Sequence, residues 1–411
     1  MPCTLECRSC GKTFCETERR MACPDCREPL WVKYDLEELR RALSPVMPGP
    51  EDTFLRQWRA LLPLEDERLI DRVSLGETES PLLRSRSIGT RRGIADLRFK
   101  LEMGPTLSLK DRGTAFCTLK ALEHGYAGVS IASSGNNAAS VAAYAARAGL
   151  PAVVFIQEQV SPSKVMKSIA YGATVVRVRG GMPEASRVCA ELSGRFRWVN
   201  CGGPNPFRVA AKRLAGYEIV RQLGHAPDAV VVPCGGGAGL VAMYESFREL
   251  LDMGLIRKLP RLYGVQLSAC NPTETAWLEG RDTVTPVEKK PSLSDAIMNN
   301  DPFWGKYDLA VAKRSGGGIF SVSDEEFVHM IRELGREEGL FTEPAGSVAV
   351  AALEKIRRRD PAFAACESVV CTLTGHGLNA PKVAVSDAEL PDAVPATAEA
   401  AIAELERRGA L

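Results

Sequence analysis

No stretch of this sequence approaches the ~20 consecutive apolar residues that a membrane-spanning helix needs. A surplus of one charge sign is missing too: 52 Lys and Arg stand against 51 Asp and Glu, for a net charge of +1. That balance gives no electrostatic reason to expect nucleic acid or an anionic membrane surface as the partner. Residues 1–10 lack the apolar core of a secretory signal, so the cytoplasm is the expected compartment. There is no internal repeat and no low-complexity tract, which removes repeat architectures from consideration. What remains is the composition of an ordinary soluble globular protein, 45% apolar and 25% charged over 411 residues. That length can bury a sizeable core in roughly two or three domains.

Six of the 13 cysteines crowd into the first 26 residues: Cys3, Cys7, Cys10, Cys15, Cys23 and Cys26. Cys7-x-x-Cys10 and Cys23-x-x-Cys26 form two knuckles, separated by a spacer slightly shorter than usual for zinc ribbons. Four thiolates so spaced can meet one tetrahedral zinc ion. The alternative is a small knuckle of reduced, metal-free thiols; with zinc bound, Cys3 and Cys15 are competing ligands. A site closed by four thiolates leaves no open position, so its expected role is structural. The mixed charges of the segment argue against a nucleic-acid-binding ribbon.

Beyond a short helix around residues 34–43 and a Pro/Gly-rich connector at 44–51, apolar runs alternate with amphipathic stretches. Strands are expected at 97–101, 128–132, 151–156, 173–178, 229–232 and 368–371. Helices are expected at 111–123, 138–149, 163–171, from 240 onward and near 397–408. This rhythm indicates an α/β protein with largely parallel sheets, in which ligands bind beyond the carboxyl ends of the strands.

Four polar segments fall at such ends. Lys110 lies in Gly-Pro-Thr-Leu-Ser-Leu-Lys-Asp-Arg-Gly, residues 104–113; Ser133-Ser134-Gly135-Asn136-Asn137 follows the strand at 128–132. Cys234-Gly235-Gly236-Gly237-Ala238-Gly239 follows the apolar run at 229–232, and Thr372-Leu373-Thr374-Gly375-His376-Gly377 follows that at 368–371. A lysine amine forms a Schiff base with an aldehyde and can then serve as base or acid at a substrate carbon. Backbone amides of a glycine loop at a helix start can cradle a phosphate. Asn136 offers a donor to a ring oxygen, and Thr374 a neutral hydroxyl that leaves a pyridine nitrogen largely unprotonated. Each feature alone also suits a surface lysine or an ordinary turn; together, in this order, they are the parts needed to hold pyridoxal phosphate, which supplies the difficult chemistry.

The same segments resemble the threonine synthase-like family of fold type II pyridoxal-phosphate enzymes. Ser74-Leu75-Gly76-Glu77 with Ser80-Pro81-Leu82, Phe99-Lys100-Leu101-Glu102 through Gly113, and Ser134-Gly135-Asn136 are similar to its early motifs. Asn205-Pro206-Phe207-Arg208, residues 338–345 and Thr374-Gly375-His376-Gly377 are similar to its later ones. The resemblance runs over residues 7–382. It implies a tryptophan synthase beta-like architecture of two parallel-sheet α/β domains plus an N-terminal zinc ribbon. The implied divisions are a ribbon at 1–35, a large cofactor domain at 36–112 and 206–390, a small mobile domain at 113–205 and a tail at 391–411.

The resemblance also implies roles: Lys110 as the Schiff-base lysine, Asn136 at the ring hydroxyl, Gly235, Gly236, Gly237, Ala238 and Gly239 at the cofactor phosphate, and Thr374 at the pyridine nitrogen. Ser133, Ser134, Gly135 and Asn137 would belong to the loop that takes the substrate carboxylate. Arg208, with Asn200, would take a substrate phosphate; its bland alternative is a salt-bridge arginine. The implied partners are a small amino-acid substrate and a second copy of the chain.

Departures fall on the substrate side. Asn137 stands where threonine is usual, and Asn200-Cys201 where Asn-Ser is usual. Ala210-Ala211-Lys212-Arg213-Leu214 replaces Glu-Gly-x-Lys-Thr, and Leu107 and Leu109 replace a common glycine and phenylalanine. Three activities follow as expectations: conversion of O-phosphohomoserine and water to threonine and phosphate; β-replacement on O-phosphoserine through an aminoacrylate, resembling cysteate synthase; and threonine or serine dehydration. A catalytically silent binder is the contrasting class, and the intact Lys110 counts against it.

Overall fold

Valine-rich runs such as Ala229–Pro233 and Ser368–Leu373, buried along almost their whole length, are suited to the centre of a parallel sheet covered on both faces. The computed structural model describes residues 4–18, 20–44, 46–384 and 392–411 and places both runs there. A six-stranded sheet runs in the order Gly318–Val322, Arg261–Leu267, Ala229–Pro233, Ser368–Leu373, Asp96–Leu101, Leu82–Arg84. Its pairs are parallel except the last, which is antiparallel. A second, wholly parallel sheet of four strands is ordered Thr174–Val178, Ala152–Gln157, Gly128–Ala132, Trp198–Asn200. The α/β class with parallel sheets is therefore present as the alternation indicated.

Two features of this topology position the site. Ala229–Pro233, Ser368–Leu373 and Asp96–Leu101 are neighbours in the six-stranded sheet, so the glycine loop, the Thr374 loop and the Lys110 loop leave its carboxyl edge side by side. The helix Lys110–Glu123 then packs against both Asn136–Ala148 and Pro206–Lys212. This packing joins the two sheets, and Phe116 meets Phe207 edge-on at 5.9 Å between ring centroids.

The three helices that carry candidate site residues at their starts begin earlier than their apolar periodicity predicts: at Lys110 rather than 111, Asn136 rather than 138, and Ala238 rather than 240. The first residues of a helix need no apolar face, so periodicity starts late. Each of these helices opens on a segment singled out from the sequence. Its first amides have no intrahelical partner, and its dipole favours negative charge there.

The N-terminal segment is a three-stranded antiparallel sheet, Thr13–Cys15, Thr4–Cys7, Leu30–Lys33. It is held to the body by paired Arg8–Glu245 hydrogen bonds of 2.6 and 2.7 Å, with the Arg8 guanidinium 4.0 Å over Trp31. Trp31 in turn meets Trp304 edge-on at 5.2 Å. Cys3, and the boundary expected at 390, lie outside the described residues. Among the described residues no helix is long and apolar enough to cross a membrane.

Candidate active site

Lys110 is half-buried at the first position of its helix. Burial, helped by the nearby Arg208 charge and opposed by Glu343, brings its ammonium down to about 8. Its surroundings are tightly tied. The Asp111 carboxylate accepts from the Thr106 backbone N–H at 2.8 Å and from the Ser140 hydroxyl at 2.7 Å. Arg112 binds Glu102 and Glu218, both at 2.6 Å. The loop before Lys110 is pinned to the Thr374 loop: Leu109 N–H donates to Thr374 O at 3.1 Å and His376 N–H to Leu107 O at 3.0 Å. Leu107 adopts φ 69°, the left-handed region that favours glycine. The leucine noted above where glycine is common thus occupies a backbone position for which glycine is the easier choice.

The glycine loop is shaped by close approach. Gly237 has φ 92°, and a Cβ there would lie 2.7 Å from Trp304 Cβ; a Cβ on Gly235 would lie 3.0 Å from Ile297 Cα. Only glycine leaves these amides uncovered, and Gly237 caps the 15-residue helix Ala238–Asp252. Beneath the loop, the Cys234 thiol donates to Asp308 Oδ2 at 3.1 Å. Burial pushes the Asp308 carboxyl well up, which favours its neutral form and lessens its repulsion of an anion at the loop.

Asn136 Nδ2 donates to both carboxylate oxygens of Glu343 at 2.9 Å. Glu343 is buried, and burial holds its carboxyl above the ordinary value against the opposing Asn136 and Lys110. Thr374 Oγ1, also buried, donates to Ala345 O at 3.2 Å. Ser133, Ser134 and Gly135 form the turn into the helix at Asn136, with Gly135 N–H donating to Ser133 Oγ at 3.4 Å. Asn137 Oδ1 accepts from Arg208 Nη1 at 3.0 Å, and Arg208 also donates to Cys201 O.

Arg208 reaches this loop because Gly113 is small: a Cβ on Gly113 would sit 3.3 Å from Arg208 Cβ. Lys110, Glu343, Asn136, Asn137 and Arg208 are thus brought together. Asn200 is used locally, its Oδ1 accepting from Gly202 N–H at 2.9 Å and its carbonyl from Asn205 Nδ2 at 3.1 Å.

Sequence reading gave no individual role to Glu343, Asp308 or Lys212. Glu343 was visible only as the acid inside Phe341-Thr342-Glu343-Pro344, just ahead of a helix that opens on proline. Asp308 had no local signal, because its partner Cys234 is 74 residues away.

An amine of lowered basicity, a glycine amide loop backed by a buried carboxyl whose charged form burial disfavours, and a hydroxyl at the next strand end suit the aldehyde, phosphate and ring of pyridoxal phosphate. Residues 73–375 match the family model described as pyridoxal-phosphate dependent enzyme. The chain belongs to that family. It is 33% identical over 388 residues to a threonine synthase of Methanocaldococcus jannaschii, covering 94% of this chain and 95% of that one. A maize serine racemase structure matches with TM-score 0.64 at 19% identity, over 73% of this chain and 88% of that one. An O-ureido-L-serine synthase structure matches with TM-score 0.61 at 20% identity, over 80% and 98%. These two likenesses establish the fold type II architecture.

Cys7, Cys10, Cys23 and Cys26 place their sulfurs within 4.8 Å of one another. Cys7–Cys26 and Cys10–Cys23 are 3.3 and 3.7 Å apart, near the ~3.8 Å expected in a tetrahedron of metal–sulfur bonds of ~2.3 Å. Cys15 is exposed and stands outside this group, with the Thr17 hydroxyl donating to it at 3.0 Å.

Proposed function

We propose that this pyridoxal-phosphate enzyme is a lyase that releases phosphate from an O-phosphorylated hydroxy amino acid, in the manner of threonine synthase: O-phosphohomoserine and water give threonine and phosphate. The observation that carries the reading is Arg208, a buried guanidinium whose charge acts on Lys110, hydrogen-bonded to Asn137 in the Asn136 loop. The archaeal relative named threonine synthase, at 33% identity over nearly its whole length, supports the same choice.

Pyridoxal phosphate, when bound, supplies the electron withdrawal that makes protons near the amino-bearing carbon removable. The chain does the rest. Lys110 would hold the cofactor and, with its amine free, would move the proton at Cα of the substrate. Amides of Gly235, Gly236, Gly237, Ala238 and Gly239 would take the cofactor phosphate, Asn136 its ring oxygen and Thr374 its ring nitrogen; Asn136 would then give up one N–H bond to Glu343, and Thr374 its bond to Ala345. The backbone of residues 134–137 would take the substrate carboxylate, with Gly135 N–H leaving Ser133 Oγ, and Arg208 would take the departing phosphate.

A second reading, β-replacement on O-phosphoserine, is favoured by one feature: the Asn137 side chain draws the Arg208 guanidinium toward the carboxylate loop, which suits a shorter substrate. The test is phosphate release with O-phosphohomoserine, O-phosphoserine and threonine offered separately. Phosphate plus threonine from O-phosphohomoserine is expected; phosphate from O-phosphoserine alone selects the second reading, and no phosphate from either removes both.

We also assign the four-sulfur group to a structural zinc ion. Elemental analysis of the purified protein should find one zinc per chain, and a Cys10→Ser, Cys23→Ser variant none. Zinc content unchanged by these substitutions would place the ion elsewhere.

A further inference from the structure

Lys212 closes the helix Pro206–Lys212 four residues after Arg208, so the two side chains share one face. It is 8% exposed, yet it makes no hydrogen bond or ion pair with any described residue. Among the described residues, four other deeply buried cations are each paired with a carboxylate. Lys100 binds Glu218 at 2.6 Å, Lys120 binds Glu16 at 2.9 Å, Arg112 binds Glu102 at 2.6 Å, and Arg213 pairs with Glu249. An ammonium with no protein partner on a side chain this buried is unfavourable, and the little surface the residue keeps is open to a ligand. A fold that gives four other cations a carboxylate leaves this one without one among the described residues.

The surroundings indicate what that partner is. The charges acting most strongly on Lys212 are Arg208 and then Lys110, both positive, while the Cys117 thiol and Glu102 act more weakly in the opposite sense. The helix carries no acidic residue of its own; Ala210 stands where the threonine synthase-like pattern has glutamate. Three basic groups are therefore gathered here, of which Lys110 is committed to the cofactor and Arg208 already has two acceptors.

We propose that Lys212, together with Arg208, binds the doubly charged phosphoryl group of the substrate, and that Lys212 selects dianionic substituents over singly charged or neutral ones. This deepens the phosphate-releasing reading and rests on it. Arg208 contributes a fixed planar fork, and Lys212 a second charge on the same face. Neither touches the reacting carbon, so their contribution is affinity for, and departure of, the phosphoryl group.

The test uses the holoenzyme, whose cofactor fills the glycine loop, titrated calorimetrically with inorganic phosphate and with acetate. Lys212→Met should weaken phosphate about tenfold to a hundredfold, as loss of a charge-assisted contact does. Acetate should weaken much less, Lys212→Arg should recover most of the loss, and the visible absorption of the cofactor should not change. In parallel, inorganic phosphate should protect Lys212 of the unsubstituted holoenzyme from acylation by acetic anhydride, read by peptide mass; chloride should not. This second arm decides the matter even where Lys212→Met fails to fold.

Unchanged phosphate affinity in Lys212→Met, or absence of protection, overturns the inference while leaving the proposed reaction intact. Protection and weakened phosphate binding, with no release from any phosphorylated amino acid, uphold the anion site and remove the reaction.

Discussion

Replacing Lys110 with alanine abolishes turnover, by about 10⁴-fold or more, and removes the visible absorption band of the bound cofactor. The glycine loop is untouched by the substitution, so cofactor still binds, but reversibly, and dialysis strips it. The geometry gives the reason to expect this role at Lys110 and not at an ordinary lysine. An unperturbed lysine near 10.5 is neutral in roughly one molecule in three thousand at pH 7, whereas one brought to about 8 is neutral in about one in ten. Burial at the helix start is the first cause and the Arg208 charge the second.

The sign of the pH dependence follows. The neutral amine attacks, so reloading of stripped protein with cofactor should speed up as pH rises toward 8 and flatten above it. Arg208→Met removes a like charge and should move that inflection upward. A retained absorption band in Lys110→Ala, or an inflection near the ordinary lysine value, would show that another amine carries the cofactor.

What the sequence disclosed about this site is what sequence can carry: local order. Lys110, Asn136, the run from Gly235 to Gly239 and Thr374 each follow a short apolar run, and a parallel sheet exposes ligand-binding loops at the ends of such runs. The Lys110, glycine and Thr374 loops then prove to leave adjacent strands, an adjacency that strand order decides and that no local pattern encodes. The two Cys-x-x-Cys knuckles were equally legible, because spacing within a knuckle is local; the exclusion of Cys15 from the sulfur group needed the fold.

Glu343 meets Asn136 across 207 residues, and Asp308 meets Cys234 across 74. Neither contact has a counterpart in periodicity or propensity. In the sequence Lys212 stands in a basic pair with Arg213, which together with Arg208 suggests a phosphorylated substrate. The fold separates the pair, turning Arg213 to Glu249 and the Tyr34 ring and leaving Lys212 without a partner among the described residues. Asn200, placed with Arg208 by sequence proximity, instead closes its own turn on Gly202.

Glu218→Ala should destabilise the protein by about 3–5 kcal/mol, the effect of removing one partner from a buried ion pair. Glu218 is fully buried on the helix Leu214–Leu223. It joins Lys100 on the strand Asp96–Leu101 to Arg112, two residues beyond Lys110, with contacts of 2.6 Å to each. Without it, two buried cations remain near Glu102 alone, which already serves Arg112 and Ser80.

The carboxyl also gives a pH signature. Burial alone would push it up, but Arg112 and Lys100 outweigh burial and hold it at about 2, below its ordinary 4.5. A carboxyl lowered in the folded state contributes stability that is present above about 4.5 and is lost as pH falls toward 2. The urea midpoint should therefore drop strongly in Glu218→Ala at pH 7, and the gap to the unsubstituted protein should narrow on acidification. Glu218→Gln keeps the shape but not the charge and should fall between the two. The network ties the Lys110 helix to the sheet that carries the glycine and Thr374 loops, so the alanine variant should also lose turnover in the fraction that remains folded. A midpoint within about 1 kcal/mol of the unsubstituted protein would mean that water enters and solvates Lys100 and Arg112, and that the alignment of Lys110 rests on the Asp111 and Thr374-loop contacts instead.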